Sequence, residues 1–379
     1  MARVLVIDDE ALVRKSIERV LRKDGHDVVL AAHGHEGLHV ATERSFDVAI
    51  VDFKMPIIDG VEVLQRMREL QPHCARILVT ARLDLNAIVG AVNRGEVSRV
   101  IEKPFDSRGL VAEVNAVLDN RRRLAEAARQ QDEDQARAQR VALCTLLQDD
   151  HLRLALQPIV AAADGQILAY ECLMRSSLPA LPHPGAVLAA AEQHDMLEEV
   201  SAVVVQRAAD WLSVLPAGVQ LFINLHPDEL SDADSLANRL ERLRPWADRV
   251  VLEITERSRL QSISRWEDAV KKMTDAGFSI AVDDLGAGYS SLSVLAELQP
   301  TFVKVDMSIV RNVNSDPRKR RLVDLLCRFA DATGARLVAE GVETAAEAEA
   351  LRQCGAHLLQ GYYFGRPNLN PDLGLRVAC

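Results

Sequence analysis

Short apolar runs rich in Val and Ile recur along this chain, separated mostly by stretches with helical spacing. In residues 1–120 they fall at 4–7, 28–32, 48–51, 77–79 and 100–101, the last being the briefest. Pattern alone does not separate all of them from buried helix; their shortness and β-branched content favour strands. Between the first two, Leu12, Val13, Ile17, Val20 and Leu21 make an amphipathic helical face. This alternation predicts an α/β fold, a doubly wound five-stranded parallel sheet with helices on both faces. From residue 151 the alternation resumes, with runs at 154–160, 167–173, 219–224, 250–254, 278–282, 302–305, 336–339 and 357–359. Eight strands in about 230 residues predict a (β/α)8 TIM-like barrel. Only residues 161–166 separate the first two runs, too few for a helical crossover, so the first strand is expected to be antiparallel and the barrel a modified one.

Between the two blocks, no Gly or Pro occurs from residue 110 to 157. A continuous helix is the natural reading. Its apolar stripe (Leu118, Leu124, Ala125, Ala128, Val141, Leu146) is broken by a polar middle at 130–135. Both a signalling helix that pairs with a second copy and a solvated single-helix spacer fit this pattern. The expected organisation is therefore a domain at 1–120, a helical linker at 121–150 and a second domain at 151–379.

In parallel α/β sheets, function gathers at the carboxyl ends of the strands. In the first block, Asp8 and Asp9 end the first run, Asp52 ends the third, Thr80 ends the fourth, and Lys103 lies just past the fifth. Three carboxylates can hold one Mg²⁺ or Mn²⁺, and a carboxylate beside that ion can accept a phosphoryl group. A hydroxyl and a lysine can then hold the new phosphoryl oxygens. These residues, with Val6-Ile7-Asp8-Asp9-Glu10, Asp52-Phe53-Lys54-Met55-Pro56, Asp59-Gly60, Thr80-Ala81 and Lys103-Pro104-Phe105, resemble a response-regulator receiver domain. The resemblance implies phosphorylation of Asp52 by a sensor histidine kinase. It departs at Val100, where such domains usually carry an aromatic switch residue three positions before the lysine.

The ends of the second block's runs give Glu171, Asn224, Glu253, Asp283, Asp284, Lys304, Glu340 and Gln360. Asp283 and Asp284 are adjacent and precede the glycine-rich Leu285-Gly286-Ala287-Gly288. Carboxylates crowded on one rim repel one another unless a cation or a proton neutralises them. Hard carboxylate oxygens are the ligands Mg²⁺ and Mn²⁺ prefer, so the set reads as a two-metal hydrolytic site. With Gln157-Pro158-Ile159, Glu171-Cys172-Leu173, Arg175, Phe222-Ile223-Asn224-Leu225, Glu253-Ile254-Thr255-Glu256, Val303-Lys304-Val305-Asp306, Ala339-Glu340-Gly341-Val342-Glu343 and Gln360-Gly361-Tyr362, it resembles the EAL family of cyclic di-GMP phosphodiesterases. The signature triplet reads Glu-Cys-Leu, and Cys172 is tolerable if the middle residue points away from the site. His226-Pro227 replaces the more usual Ser after Asn224-Leu225.

That resemblance implies two metal ions on Glu171, Asn224, Glu253, Asp283 and Asp284. Glu340 would be general base or complete the metal site, Lys304 would orient water or stabilise charge, and Gln360 would hold the network. Gln157 and Arg175 would contact the nucleotide, and Glu256 would brace the loop after Asp284. The implied partners are cyclic di-GMP, a sensor kinase and a second copy of the chain. A catalytically silent cyclic di-GMP receptor and a protein-interaction scaffold are the rival readings.

Composition bounds these readings. A net charge of -10 and a pI near 5.6 oppose general binding to nucleic acid or anionic membrane. Six scattered cysteines without a CxxC argue against zinc or a disulfide framework and fit a reducing cytoplasm. The apolar run near Met1 is too short for a signal peptide, and no run reaches transmembrane length.

Overall fold

The computed structural model describes residues 1–81, 97–148, 150–255, 263, 265–285 and 298–374. The chain divides into two compact units, Met1–Gln135 and Ala136–Cys379, and the boundary falls within the helix Ser107–Gln148. Residues 122–135 of that helix are exposed on every side. The helix stops well before the first proline at 158, because the strand-forming run beginning at Leu152 takes the backbone into a sheet.

The first unit holds β1 (Arg3–Ile7), β2 (Asp27–Ala31), β3 (Val48–Asp52), β4 (Ala75–Ala81) and β5 (Arg99–Lys103). They form a five-stranded sheet in the order β2-β1-β3-β4-β5, and all four pairings are parallel. Successive side chains of a strand point to opposite faces. Leu5 and Ile7 accordingly join one buried cluster while Val4 and Val6 join another, which is why these runs are apolar throughout. The brief run at 100–101 is the middle of β5, whose ends, Arg99 and Lys103, are charged.

The second unit is a closed barrel in the order β10-β11-β12-β13-β6-β7-β8-β9. Its strands are β6 (Leu152–Ala161), β7 (Ile167–Ser176), β8 (Gln220–Leu225), β9 (Val250–Thr255), β10 (Ser279–Leu285), β11 (Phe302–Val305), β12 (Arg336–Ala339) and β13 (Leu358–Gln360). As the short 161–166 connection requires, β6 is antiparallel to β7, and it is antiparallel to β13 as well. The other pairings are parallel. Each strand sends one residue into an apolar plug: Ile159, Ala169, Phe222, Val251, Ala281, Phe302, Val338 and Leu358. Phe222 and Phe302 meet edge to face at 5.0 Å within it.

Glycine allows close approach at several points, Gly60 and Gly361 among them. At Gly60, the first residue of the helix Gly60–Leu70, a Cβ would lie 2.2 Å from the carbonyl oxygen of Asp52. At Gly361 it would lie 2.1 Å from the carbonyl oxygen of Val342. Gly60→Ala is therefore expected to destabilise the first unit by about 1–3 kcal/mol, the usual cost of overpacking. Chemical denaturation would show an earlier transition for that unit and an unchanged one for the barrel.

Candidate active site

The barrel's chemistry lies one period-2 step beyond its apolar plug. Two residues further toward the carboxyl ends, Ala169 gives way to Glu171, Phe222 to Asn224, Val251 to Glu253, Ala281 to Asp283 and Phe302 to Lys304. The same step leads from Val338 to Glu340 and from Leu358 to Gln360. Because β6 runs the other way, its polar residue, Gln157, precedes Ile159. Cys172, one position off this register, faces the outer core.

Lys304 is fully buried at the centre of this layer. Its Nζ lies 2.6 Å from Glu253 Oε1, 2.7 Å from Glu340 Oε1, and 3.4 Å from both Glu171 Oε2 and Asp283 Oδ1. Burial alone would lower the lysine's pKa, but these four carboxylates hold it well above its ordinary value. One ammonium cannot neutralise four carboxylates. Burial, with Glu171 and Asp283 as like-charged neighbours, drives Glu253 far above the carboxylate range. Glu340 is pushed up to about 8, mainly by burial. Glu171 goes the other way. Burial raises it, but Lys304 and hydrogen bonds from Gln360 and Asn224 outweigh that and leave it low. Those bonds run from Gln360 Nε2 at 2.6 Å and from Asn224 Nδ2 at 3.1 Å. Gln360 Nε2 also donates to Gln157 Oε1 at 3.2 Å, and Gln157 Nε2 to the carbonyl of Gly365 at 3.1 Å.

The adjacent acids do not simply end a strand. β10 runs on to Leu285, and its register against β11 shifts between Val282 and Leu285. In a regular strand Asp283 and Asp284 would point to opposite faces. Here Asp284 takes a left-handed backbone (φ 61°), and its N–H bonds to Asp283 Oδ1 at 2.8 Å. The irregularity re-aims the second carboxylate. Carboxylate oxygens of Asp283, Asp284 and Glu340 consequently lie within 4.8 Å of one another, close enough to share a cation. Glu253 is fully buried beside them, its Oε1 held 2.6 Å from Lys304 Nζ.

A cleft of about 620 Å³ opens beside Asn224 and Asp284, walled by Met174, Leu188, Val204 and His226. His226 has a definite place in it. Its Nδ1 accepts from the N–H of Asp228 at 3.3 Å, and its Nε2 donates to Glu192 Oε1 at 2.9 Å. With Glu229 it forms a reciprocal capping box that fixes the turn after Asn224.

Arg175 stands apart from this layer. The Nη1 of Arg175 donates to the carbonyl of Met174 at 2.8 Å, and no described contact brings the guanidinium to the acid layer. Glu256 lies outside the described residues. The residue sequence reading passed over is Glu347, a buried carboxylate in the pattern Thr344-x-x-Glu347 that announces a helix start.

The first unit assembles its own site. Lys103 Nζ lies 2.5 Å from Asp52 Oδ1 and 2.9 Å from Asp8 Oδ2. Asp8 and Asp52 are buried and Asp9 is exposed. Burial raises the pKa of Asp52, opposed chiefly by Lys103. Burial lowers that of Lys103, and the two aspartates more than reverse the effect. The Thr80 hydroxyl donates to the carbonyl of Ala81 at 3.1 Å.

Comparison with known proteins finds a family for each part of the chain. The EAL domain model matches residues 137–367, and the response regulator receiver domain model matches residues 4–115. The chain belongs to the EAL family and carries a receiver domain. It is 26% identical over 384 residues to the cyclic di-GMP phosphodiesterase RocR of Pseudomonas aeruginosa, covering 96% of this chain and 95% of RocR. The cyclic di-GMP phosphodiesterase NbdA of the same species is 32% identical over 230 residues, 58% of this chain. The chain spans only 29% of NbdA's length. Among solved structures, the EAL enzyme Bd1971 in its cAMP- and cyclic-di-GMP-bound form has a TM-score of 0.58 at 26% identity, covering 71% of this chain and 75% of its own. The PaMucR phosphodiesterase in complex with c-di-GMP has a TM-score of 0.54 at 28% identity, covering 61% and 97%.

The geometry makes Lys304→Met a test of the electrostatics. Glu171, held low in the folded state, contributes stability above its unfolded pKa that is lost as pH falls. Removing Lys304 abolishes this contribution and leaves buried charge unpaired. The variant should lose about 3–5 kcal/mol at pH 8, and the loss should shrink as pH falls below the ordinary glutamate value of 4.5, measured by urea denaturation.

Proposed function

We propose that this receiver–EAL chain hydrolyses one phosphodiester of cyclic di-GMP to linear pGpG at a site for two Mg²⁺ or Mn²⁺ ions, under control of phosphorylation at Asp52. The observation that carries the reading is the acid layer around Lys304, supported by the sequence match to RocR across 96% of the chain. The donor set fits divalent metal. It offers hard oxygens, a cluster whose oxygens converge within 4.8 Å, and more buried carboxylates than the one lysine can neutralise. Glu171, Asn224, Glu253, Asp283 and Asp284 would hold the ions. Bound there, the metals would lower the pKa of a water and offset charge developing at phosphorus.

The remaining roles belong to the chain's side chains. Glu340, a member of that cluster, would take the proton of the attacking water while the bond from phosphorus to the 3′ oxygen breaks and that oxygen takes up a proton. Lys304 would keep the acids in register and stabilise charge on the phosphoryl oxygens. Gln360 and Gln157 would fix Glu171 through the amide chain that ends on it. The cleft beside Asn224 and Asp284 would admit a guanosine moiety, and Arg175 would reach a phosphate as a planar fork on turning from Met174. Glu256 would brace the segment after Asp284.

At the receiver, Asp8, Asp9 and Asp52 would hold one Mg²⁺ or Mn²⁺. Asp52 would accept the phosphoryl group from a sensor histidine kinase, and Thr80 and Lys103 would hold the new oxygens. The exposed helix within Ser107–Gln148 would carry the signal between the receiver (1–120) and the barrel (151–379), through pairing with a second copy in a homodimer or higher assembly. No described helix is long and apolar enough to cross a membrane, in keeping with a proposed place in the cytoplasm.

The test is turnover of cyclic di-GMP by the full chain in Mg²⁺ or Mn²⁺, with and without a small phosphoryl donor. Wild type should yield pGpG, and Glu340→Ala should be slower by about 10²–10⁴-fold, the usual worth of a general base. The donor should change the wild-type rate and leave that of Asp52→Asn unchanged. Tight binding without pGpG would make the chain a nucleotide receptor, and neither binding nor turnover would favour a scaffold.

A further inference from the structure

Glu347 lies on the first turn of the helix Ala345–Gln353, outside the acid layer, yet its carboxylate is buried. Four donors converge on it. Oε2 accepts from the N–H of Glu343 at 3.0 Å, the N–H of Thr344 at 3.0 Å and the Thr344 hydroxyl at 3.1 Å. Oε1 accepts from the N–H of Asn312 at 2.9 Å. Reciprocal capping between Thr344 and Glu347 explains the bonds to Thr344. It does not explain Asn312, which comes from the segment after β11 and is held in a left-handed conformation at φ 61°.

The two segments so joined lead back to the two sides of one ion pair. The segment before Thr344 begins at Glu340, and the segment before Asn312 begins at Lys304. On the inner side, Glu340 is pinned by its N–H to the carbonyl of Val305 at 3.1 Å, and Val342 by its N–H to that of Gln360 at 3.0 Å. Gly341 (φ 69°) packs so closely that a Cβ there would lie 2.4 Å from Met307 Cβ. The Arg311–Glu343 ion pair spans the same junction but is half exposed and worth little. The buried carboxylate is the stronger tie, since removing a charged acceptor strands several donors at once.

We propose that Glu347 is a positioning residue for the proposed metal site. By tying the Glu340 segment to the segment after Lys304, it holds Glu340 within reach of Asp283 and Asp284. It touches neither substrate nor metal.

Glu347→Gln separates this role from helix capping. An amide offers one carbonyl oxygen, so it can serve the cap or Asn312, but its N–H₂ meets a donor on the other side. Glu347→Asp, with a carboxylate too short to span both segments, is the second variant and carries the same expectation. Thr344→Val is the control, weakening the cap and leaving the bond to Asn312. The readouts are thermal unfolding, Mn²⁺ affinity by electron paramagnetic resonance, and kcat and KM for cyclic di-GMP. In the Glu347 variants Mn²⁺ should bind about tenfold more weakly, the scale seen for residues that support metal ligands. Their kcat should fall by about as much, with KM within about twofold. Thr344→Val should lower the melting temperature while Mn²⁺ affinity stays at the wild-type value. Folded Glu347 variants with wild-type Mn²⁺ affinity, or equal losses in all three variants, would reduce Glu347 to a cap. The kinetic arm rests on the proposed phosphodiesterase activity. If the wild type yields no pGpG, that reading fails while Mn²⁺ affinity still decides the role of Glu347.

Discussion

One buried ammonium among four carboxylates governs the second unit. Taking Lys304 out of water is costly, and it is tolerated because Glu171, Glu253, Asp283 and Glu340 surround it within 3.4 Å. The arrangement is still short of positive charge. Burial and like charge raise the pKa of Glu253 and Glu340, while the lysine and two amides keep that of Glu171 low. A site built this way is poised to exchange protons for divalent cations. The same logic recurs on a smaller scale in the receiver, where Lys103 bridges Asp8 and Asp52.

The barrel creates this density of charge through period-2 geometry. Its apolar plug closes the interior, and the next inward-facing position on each strand lies at the carboxyl-end rim. The layer beneath this rim of acids is buried and apolar. The irregularity in β10 adds what regular geometry withholds, a second consecutive carboxylate aimed at the same place. The amides of Gln157 and Gln360 then connect β6, the antiparallel strand, to β7 through Glu171.

Much of this was legible from strand periodicity and from the residues on which the apolar runs end. The antiparallel pairing of β6 with β7 followed from the length of one connection. Strand bounds moved outward by a residue or more where polar positions continue the ladder, as at Arg99 and Lys103 of β5. Less legible was whatever depends on contacts distant in sequence. Nothing local marks Asp284 for a left-handed backbone. Nor does a local pattern place Gln157 in a buried amide chain, or turn Arg175 toward its neighbour's carbonyl. Glu347 did announce itself, but only as a helix cap; its bond to Asn312 depends on how two strands end side by side.

The measurement closest to the central claim is a proton count on metal binding. Titrating Mn²⁺ into the full chain by calorimetry, in buffers of differing ionisation enthalpy, reports protons released per ion bound. With Glu340 raised to about 8, metal should displace its proton at pH 7, and that release should diminish as pH rises through 8 to 9. Heats that depend on the buffer at pH 7 and less so at pH 9 are the predicted result. Mn²⁺ binding with buffer-independent heat at pH 7 would contradict it, for the acids around Lys304 would then be ionised without a metal.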